Sequence, residues 1–114
     1  MPAKLDRSLD FGYPNTSLDA ATGTGAGTSF AVVPRGNNAP RTFAWDIIRG
    51  GTVSTLQVDI QGSLDGTNWF QLDTYNTPGA NTLRFIVDKP VYAIRANLVI
   101  LTGGGNITTR LWAA

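Results

Sequence analysis

The apolar residues of this chain come in short alternating runs, and none continues with a helical period. Leu56, Val58 and Ile60 alternate with Thr55, Gln57, Asp59 and Gln61, and Leu83, Phe85 and Val87 alternate with Arg84 and Ile86. A side-chain period of two belongs to a strand with one buried face. Each run is stopped by turn-forming residues: Arg35-Gly36-Asn37-Asn38-Ala39-Pro40, Ser63–Asn68, Asn76-Thr77-Pro78-Gly79 and Gly103-Gly104-Gly105-Asn106. Between these stops the strands read as Ser29–Pro34, Arg41–Ile48, Thr52–Gly62, Trp69–Tyr75, Leu83–Val87, Val91–Leu101 and Ile107–Trp112. About seven short strands separated by turns predict an all-β fold, an antiparallel β-sandwich of jelly-roll-like form. All 8 acidic residues are Asp, which favours turns, and Glu, a helix former, is absent. Alternation assigns Leu56, Val58, Ile60, Leu72, Phe85, Ile94, Leu98 and Ile107 to the core.

The chain divides by composition. Residues 1–27 hold the anchors Leu5, Leu9, Phe11 and Tyr13, followed by the low-complexity run Ala21-Thr22-Gly23-Thr24-Gly25-Ala26-Gly27. That run reads as a flexible linker. The segment before it reads as an extended N-terminal arm that docks on a neighbouring subunit through those four anchors. Residues 28–114 are expected to be the sandwich domain. With 114 residues there is room for one core only. Val91–Leu101, apolar on both faces, offers more apolar surface than one sheet face needs, so a homo-oligomer is expected.

The hairpin at Asp65-Gly66 is the strongest local signal. A two-residue loop would pair Ile60 with Gln71 and mismatch the faces. A loop Asp65-Gly66-Thr67 pairs Ile60 with Leu72, Gln61 with Gln71 and Gly62 with Phe70, and keeps one face apolar. That register places Trp69, Gln71, Asp73 and Tyr75 on the polar face, where Trp69, Gln71 and Tyr75 are candidate contacts for a partner or ligand. Trp45 and Trp112 read as core aromatics.

The chemistry this composition excludes is extensive. Without His or Cys, neither Ser-His-Asp nor Cys-His catalysis can be assembled, and Cys/His zinc sites are ruled out. The Gly-rich run lacks the Lys-Ser or Lys-Thr of a phosphate-binding loop. One enzymatic idea survives: Asp59 and Asp73, opposed across the hairpin, form a carboxylate pair of the kind glycosidases use. The plainer reading is an exposed pair neutralised by Arg84 or Arg95. Asp65 and Asn68 fall far short of the oxygens a calcium site needs. A net charge of +1 gives no basic field for nucleic acid. No apolar run approaches the roughly 18 residues of a membrane helix, and residues 1–15 hold no apolar stretch of the signal-peptide kind. The expectation is a binding or structural protein, not an enzyme, with no cofactor, no nucleic-acid partner and no membrane partner.

Two stretches carry a family resemblance. The hairpin Val58–Leu72, with Gly62-Ser63-Leu64-Asp65-Gly66 followed by Trp69 and Leu72, resembles one found in discoidin-like sugar-binding sandwiches and in small structural proteins of tailed bacteriophages. The ending, Tyr92 and Ile94-Arg95-Ala96-Asn97 followed by Gly103-Gly104 and Ile107-Thr108, resembles that of the phage proteins. The resemblance implies a β-sandwich virion component: a capsid decoration (cement) protein, trimeric on the capsid surface, made in the host bacterial cytoplasm, with the major capsid protein or other virion subunits as partners. A tail or head–tail component is a neighbouring reading, and a discoidin-like carbohydrate-binding module is the alternative from another class.

Overall fold

The computed structural model describes residues 7–9, 14–32, 42–77 and 81–113, with backbone alone at Arg7 and Ser8. Among the described residues it contains ten strands and no helix. In chain order these are β1 Arg7–Ser8, β2 Asn15–Ala21, β3 Gly25–Ala26, β4 Phe30–Ala31, β5 Phe43–Gly50, β6 Thr55–Ser63, β7 Phe70–Tyr75, β8 Thr82–Ile86, β9 Ala93–Thr102 and β10 Asn106–Ala113. They form two sheets. The first has the order β1-β4-β9-β6-β7 with β3 also paired to β9, and the second has the order β2-β10-β5-β8. All pairs are antiparallel except β1 with β4. The expected sandwich is present.

The N-terminal expectation is corrected. Residues 15–21 are not an arm ahead of the domain but the outer strand of the second sheet, where Asn15 Nδ2 donates to the Leu111 carbonyl at 2.9 Å. The Gly-rich run is likewise no free linker. Gly25–Ala26 pairs with Leu98 and Asn97, and Phe30–Ala31 pairs with Ile94 and Ala93, so β3 and β4 lie along one edge of β9 as an interrupted strand. Low side-chain content does not prevent this pairing, because the bonds are made by backbone.

Ser17 closes the seam between the sheets. Its Oγ donates to the Thr28 carbonyl at 2.7 Å and accepts the Ala96 N–H at 2.9 Å. Its carbonyl accepts the Thr28 N–H at 2.8 Å. Gly27 is needed at this crossing, since a Cβ there would stand 2.0 Å from the Ser17 carbonyl oxygen. Leu9, expected to anchor a neighbour, is 3% exposed in its own domain's core, and its N–H donates to the Ala31 carbonyl. Leu5, Phe11 and Tyr13 lie outside the described residues.

The core between the sheets is built on Phe30, Phe43, Trp45, Ile47, Leu56 and Ile60, all essentially buried. Burying each such side chain contributes about 1.5–3 kcal/mol. Of the expected core, Leu56, Val58, Ile60, Ile94, Leu98 and Ile107 are buried and Leu72 packs against them half-buried. Phe85 is the exception at 60% exposed.

Candidate interaction surfaces

The hairpin turn forms through Asp65. Its carboxylate accepts the backbone N–H groups of Thr67 and Asn68, both at 2.8 Å, the Asn68 side-chain amide at 2.7 Å and the Ser63 hydroxyl at 3.1 Å. The Asn68 N–H, then the Thr67 N–H, hold this carboxyl far below the usual carboxylate range. Gly66 adopts φ +78°, which the turn requires and a side chain resists. The Asp65 oxygens are therefore spent on the turn itself. Among the described residues no three acidic groups gather as a metal site would need.

Beyond the turn, Gly62 pairs with Phe70 and Gln61 with Gln71 as the sequence indicates, but Ile60 pairs with Asp73. The register shifts there because Leu72 is an extra residue, a β-bulge. The consequence is chemical. Asp73 turns to the inner side, where it accepts the Trp45 indole N–H at 2.9 Å and a two-bond clamp from Arg84 at 2.9 and 3.0 Å. Burial pushes the Asp73 carboxyl up, but the Arg84 and Trp45 hydrogen bonds, the Thr74 N–H and the Arg84 charge outweigh it, and the pKa lies below the ordinary value. The opposed carboxylate pair is thus not formed. Asp59 stands opposite Thr74, whose hydroxyl donates to it at 2.6 Å, and Gln57 donates at 3.2 Å.

The same bulge divides the expected contact residues. Trp69 and Gln71 stay on the outer side of the first sheet. Arg95 lies 4.1 Å from the centre of the Trp69 ring and donates to Gln61 Oε1 at 2.8 Å. Partial burial lowers the Arg95 pKa, although a guanidinium stays charged at any working pH. Tyr75 leaves this group: it pairs with buried Val58 and packs against the core, with Arg84 5.7 Å from its ring.

The outer side of the second sheet is apolar where the sequence leads one to expect polar residues. On β8, Arg84 and Ile86 face inward, and Leu83, Phe85 and the following Val87 face out, 55%, 60% and 66% exposed. Alternation alone identifies the apolar row but not its direction. Beside it run Ala44, Asp46 and Ile48 of β5 and Arg110 and Trp112 of β10, lining a shallow groove of about 550 Å³. Trp112, expected in the core, is half-buried here with Arg110 5.0 Å from its ring. Asp46 accepts the Arg110 backbone N–H and both Nε and a terminal nitrogen of its guanidinium, which neutralises the middle of the face. A smaller apolar cleft of about 200 Å³ lies at the hairpin end of the sandwich, between Leu64, Phe70, Leu72 and Val91. Leu64 and Phe70 are 74% and 64% exposed.

The sequence matches no protein-family model and no curated protein sequence. In three dimensions the chain is similar to the crystal structure of the SPBc2 prophage-derived protein YomS, with a TM-score of 0.59 and 14% identity. The match covers 91% of this chain and 96% of that one, so the two share a fold over nearly their whole lengths.

Proposed function

We propose that this chain is a non-enzymatic structural component of a tailed-phage particle: a capsid decoration (cement) protein, homotrimeric, that binds and stabilises the shell. The observation that carries the reading is the exposed apolar row of β8, beside which Arg84 is paired with Asp73 and Arg110 with Asp46. A monomer gains nothing from such a row, and contiguous apolar surface marks a protein interface. The near end-to-end fold likeness to a prophage-derived protein, with the hairpin and C-terminal resemblance, supports a phage particle as the setting. With Leu9 and residues 15–21 committed to their own domain, attachment passes from the N-terminal segment to the sandwich surface.

The test is to mix purified protein with phage heads and with tails, separated on a gradient, and to follow co-sedimentation and the heat resistance of the heads. Saturable binding to heads with raised heat resistance is expected. Binding to tails alone would move the protein to a tail role, and binding to neither would remove the reading. A glycan-binding reading has one observation in its favour, the half-exposed Trp69 among amide side chains. Arg95 already covers that ring, so added oligosaccharides are expected to leave Trp fluorescence unchanged.

A further inference from the structure

We infer that the β8 row Leu83, Phe85 and Val87 is the contact between copies of this chain, the rows of neighbouring copies meeting about the symmetry axis of the homo-oligomer. This deepens the particle reading, on which it rests for its setting, by naming the surface and its occupant as a second copy.

Charge is the first argument. Where a row meets its own copy at a symmetry axis, a charge on the axis faces its like, so an uncharged row favours such a contact. On β8 the one charged side chain, Arg84, is turned inward and clamped by Asp73. On the adjoining face Asp46 and Arg110 neutralise one another. On β8 and at Val87 what remains toward solvent is apolar, and the exposed charges Asp88 and Lys89 follow only after the row ends.

Area is the second. The exposed parts of Leu83, Phe85 and Val87, with Leu64 and Phe70 at the hairpin end, come to on the order of 500 Å². The chain leaving β8 runs through the exposed Asp88 and Lys89 to Pro90 and Val91 at the hairpin-end cleft, so the two apolar groups flank that short charged link. That is more than half of the roughly 800 Å² each partner buries in a stable pair.

Edge geometry is the third. β7 is disrupted by its bulge at Leu72 and β2 is drawn into the Ser17 seam, whereas β8 pairs with β5 in unbroken register and, among the described residues, has no strand on its other edge. A regular apolar edge strand is the part of a sheet most prone to associate.

The chain has no cysteine, so one introduced thiol reports on the contact directly. Phe85→Cys under mild oxidation is expected to give a disulfide-linked pair in high yield, which requires the two Cα atoms to approach within about 7 Å. Gln71→Cys, on the far sheet, is expected to stay uncrosslinked at the same concentration. By light scattering, the native chain is expected at a multiple of 12.1 kDa. Phe85→Asp and Val87→Lys, checked for fold by circular dichroism, should raise the dissociation constant at least about 100-fold, as loss of a central aromatic anchor does. A native chain that is monomeric at about 1 mM, an oligomer untouched by both variants, or crosslinking no better at Phe85 than at Gln71 would each overturn the inference. These readouts need no phage heads. Self-association without head binding would sink the decoration role and leave this contact standing, and the reverse result would do the opposite.

Discussion

Gly27→Ala tests whether the Gly-rich segment is structure or tether. The new Cβ would lie 2.0 Å from the Ser17 carbonyl oxygen, 2.6 Å from its carbonyl carbon and 2.8 Å from its Oγ, where ordinary contact begins at 3.4 Å. Relief requires β2 and the β3–β4 segment to part by more than an ångström. Two bonds that span this crossing, Thr28 N–H to the Ser17 carbonyl at 2.8 Å and Ser17 Oγ to the Thr28 carbonyl at 2.7 Å, cannot survive that separation. At about 1 kcal/mol each, with about 1 kcal/mol more for a buried donor left without a partner, the loss is about 3 kcal/mol. With a urea slope of about 2 kcal/mol/M, the midpoint should fall by about 1.5 M. Gly23→Ala is the control: nothing lies within 4 Å of its added Cβ, and its midpoint should stay near the native one. If the two variants unfold within about 0.3 M of each other, the seam contributes nothing and the segment is a tether after all.

Leu9→Ala should cost about 2–4 kcal/mol in the same denaturation, because it empties a core position; an exposed docking residue would cost almost nothing. Asp73→Asn should cost about 1–2 kcal/mol, the lower part of the range for charged hydrogen bonds because Arg84 is partly exposed. Since the folded-state pKa of Asp73 is depressed, its contribution is full above the ordinary carboxylate pKa and is lost as pH falls through the folded value. Native stability should therefore drop below about pH 4, and part of that drop should vanish in Asp73→Asn, as thermal melts at pH 3 and 6 would show. Thr109→Val should raise stability by about 1 kcal/mol, because the Thr109 hydroxyl is fully buried and has no hydrogen-bond partner among the described residues; an unchanged or lower melting temperature would refute this.

The sequence made the sandwich legible because strand content depends on local alternation and turn chemistry, both of which are written residue by residue. The hairpin turn and its first two pairs followed for the same reason. What stayed hidden depended on distant partners. Nothing in Ala21–Gly27 shows that its backbone will bond to Ala96 and Asn97, since any backbone can do so once brought alongside. The Leu72 bulge is hidden in the same way: an unshifted register keeps Leu72 opposite Ile60 and satisfies the apolar pattern equally well.

The orientation of β8 follows from that bulge through one indole. Trp45 is fully buried, and its N–H requires an acceptor inside the sandwich. The bulge turns Asp73 inward to supply it, and an inward carboxylate in turn requires a cation. Arg84 meets that need only if β8 presents Arg84 and Ile86 to the interior. Strand alternation then forces Leu83, Phe85 and Val87 outward. Reversing the strand would bury the apolar row, but it would strip Asp73 of its counterion at a cost of about 3 kcal/mol or more and turn the buried Ile86 out to solvent at about 1.5–3 kcal/mol, together comparable with the gain from burying the three side chains. The inner trio and the outer row are therefore a single choice, and a second copy covering the row recovers the burial that this choice gives up within one chain.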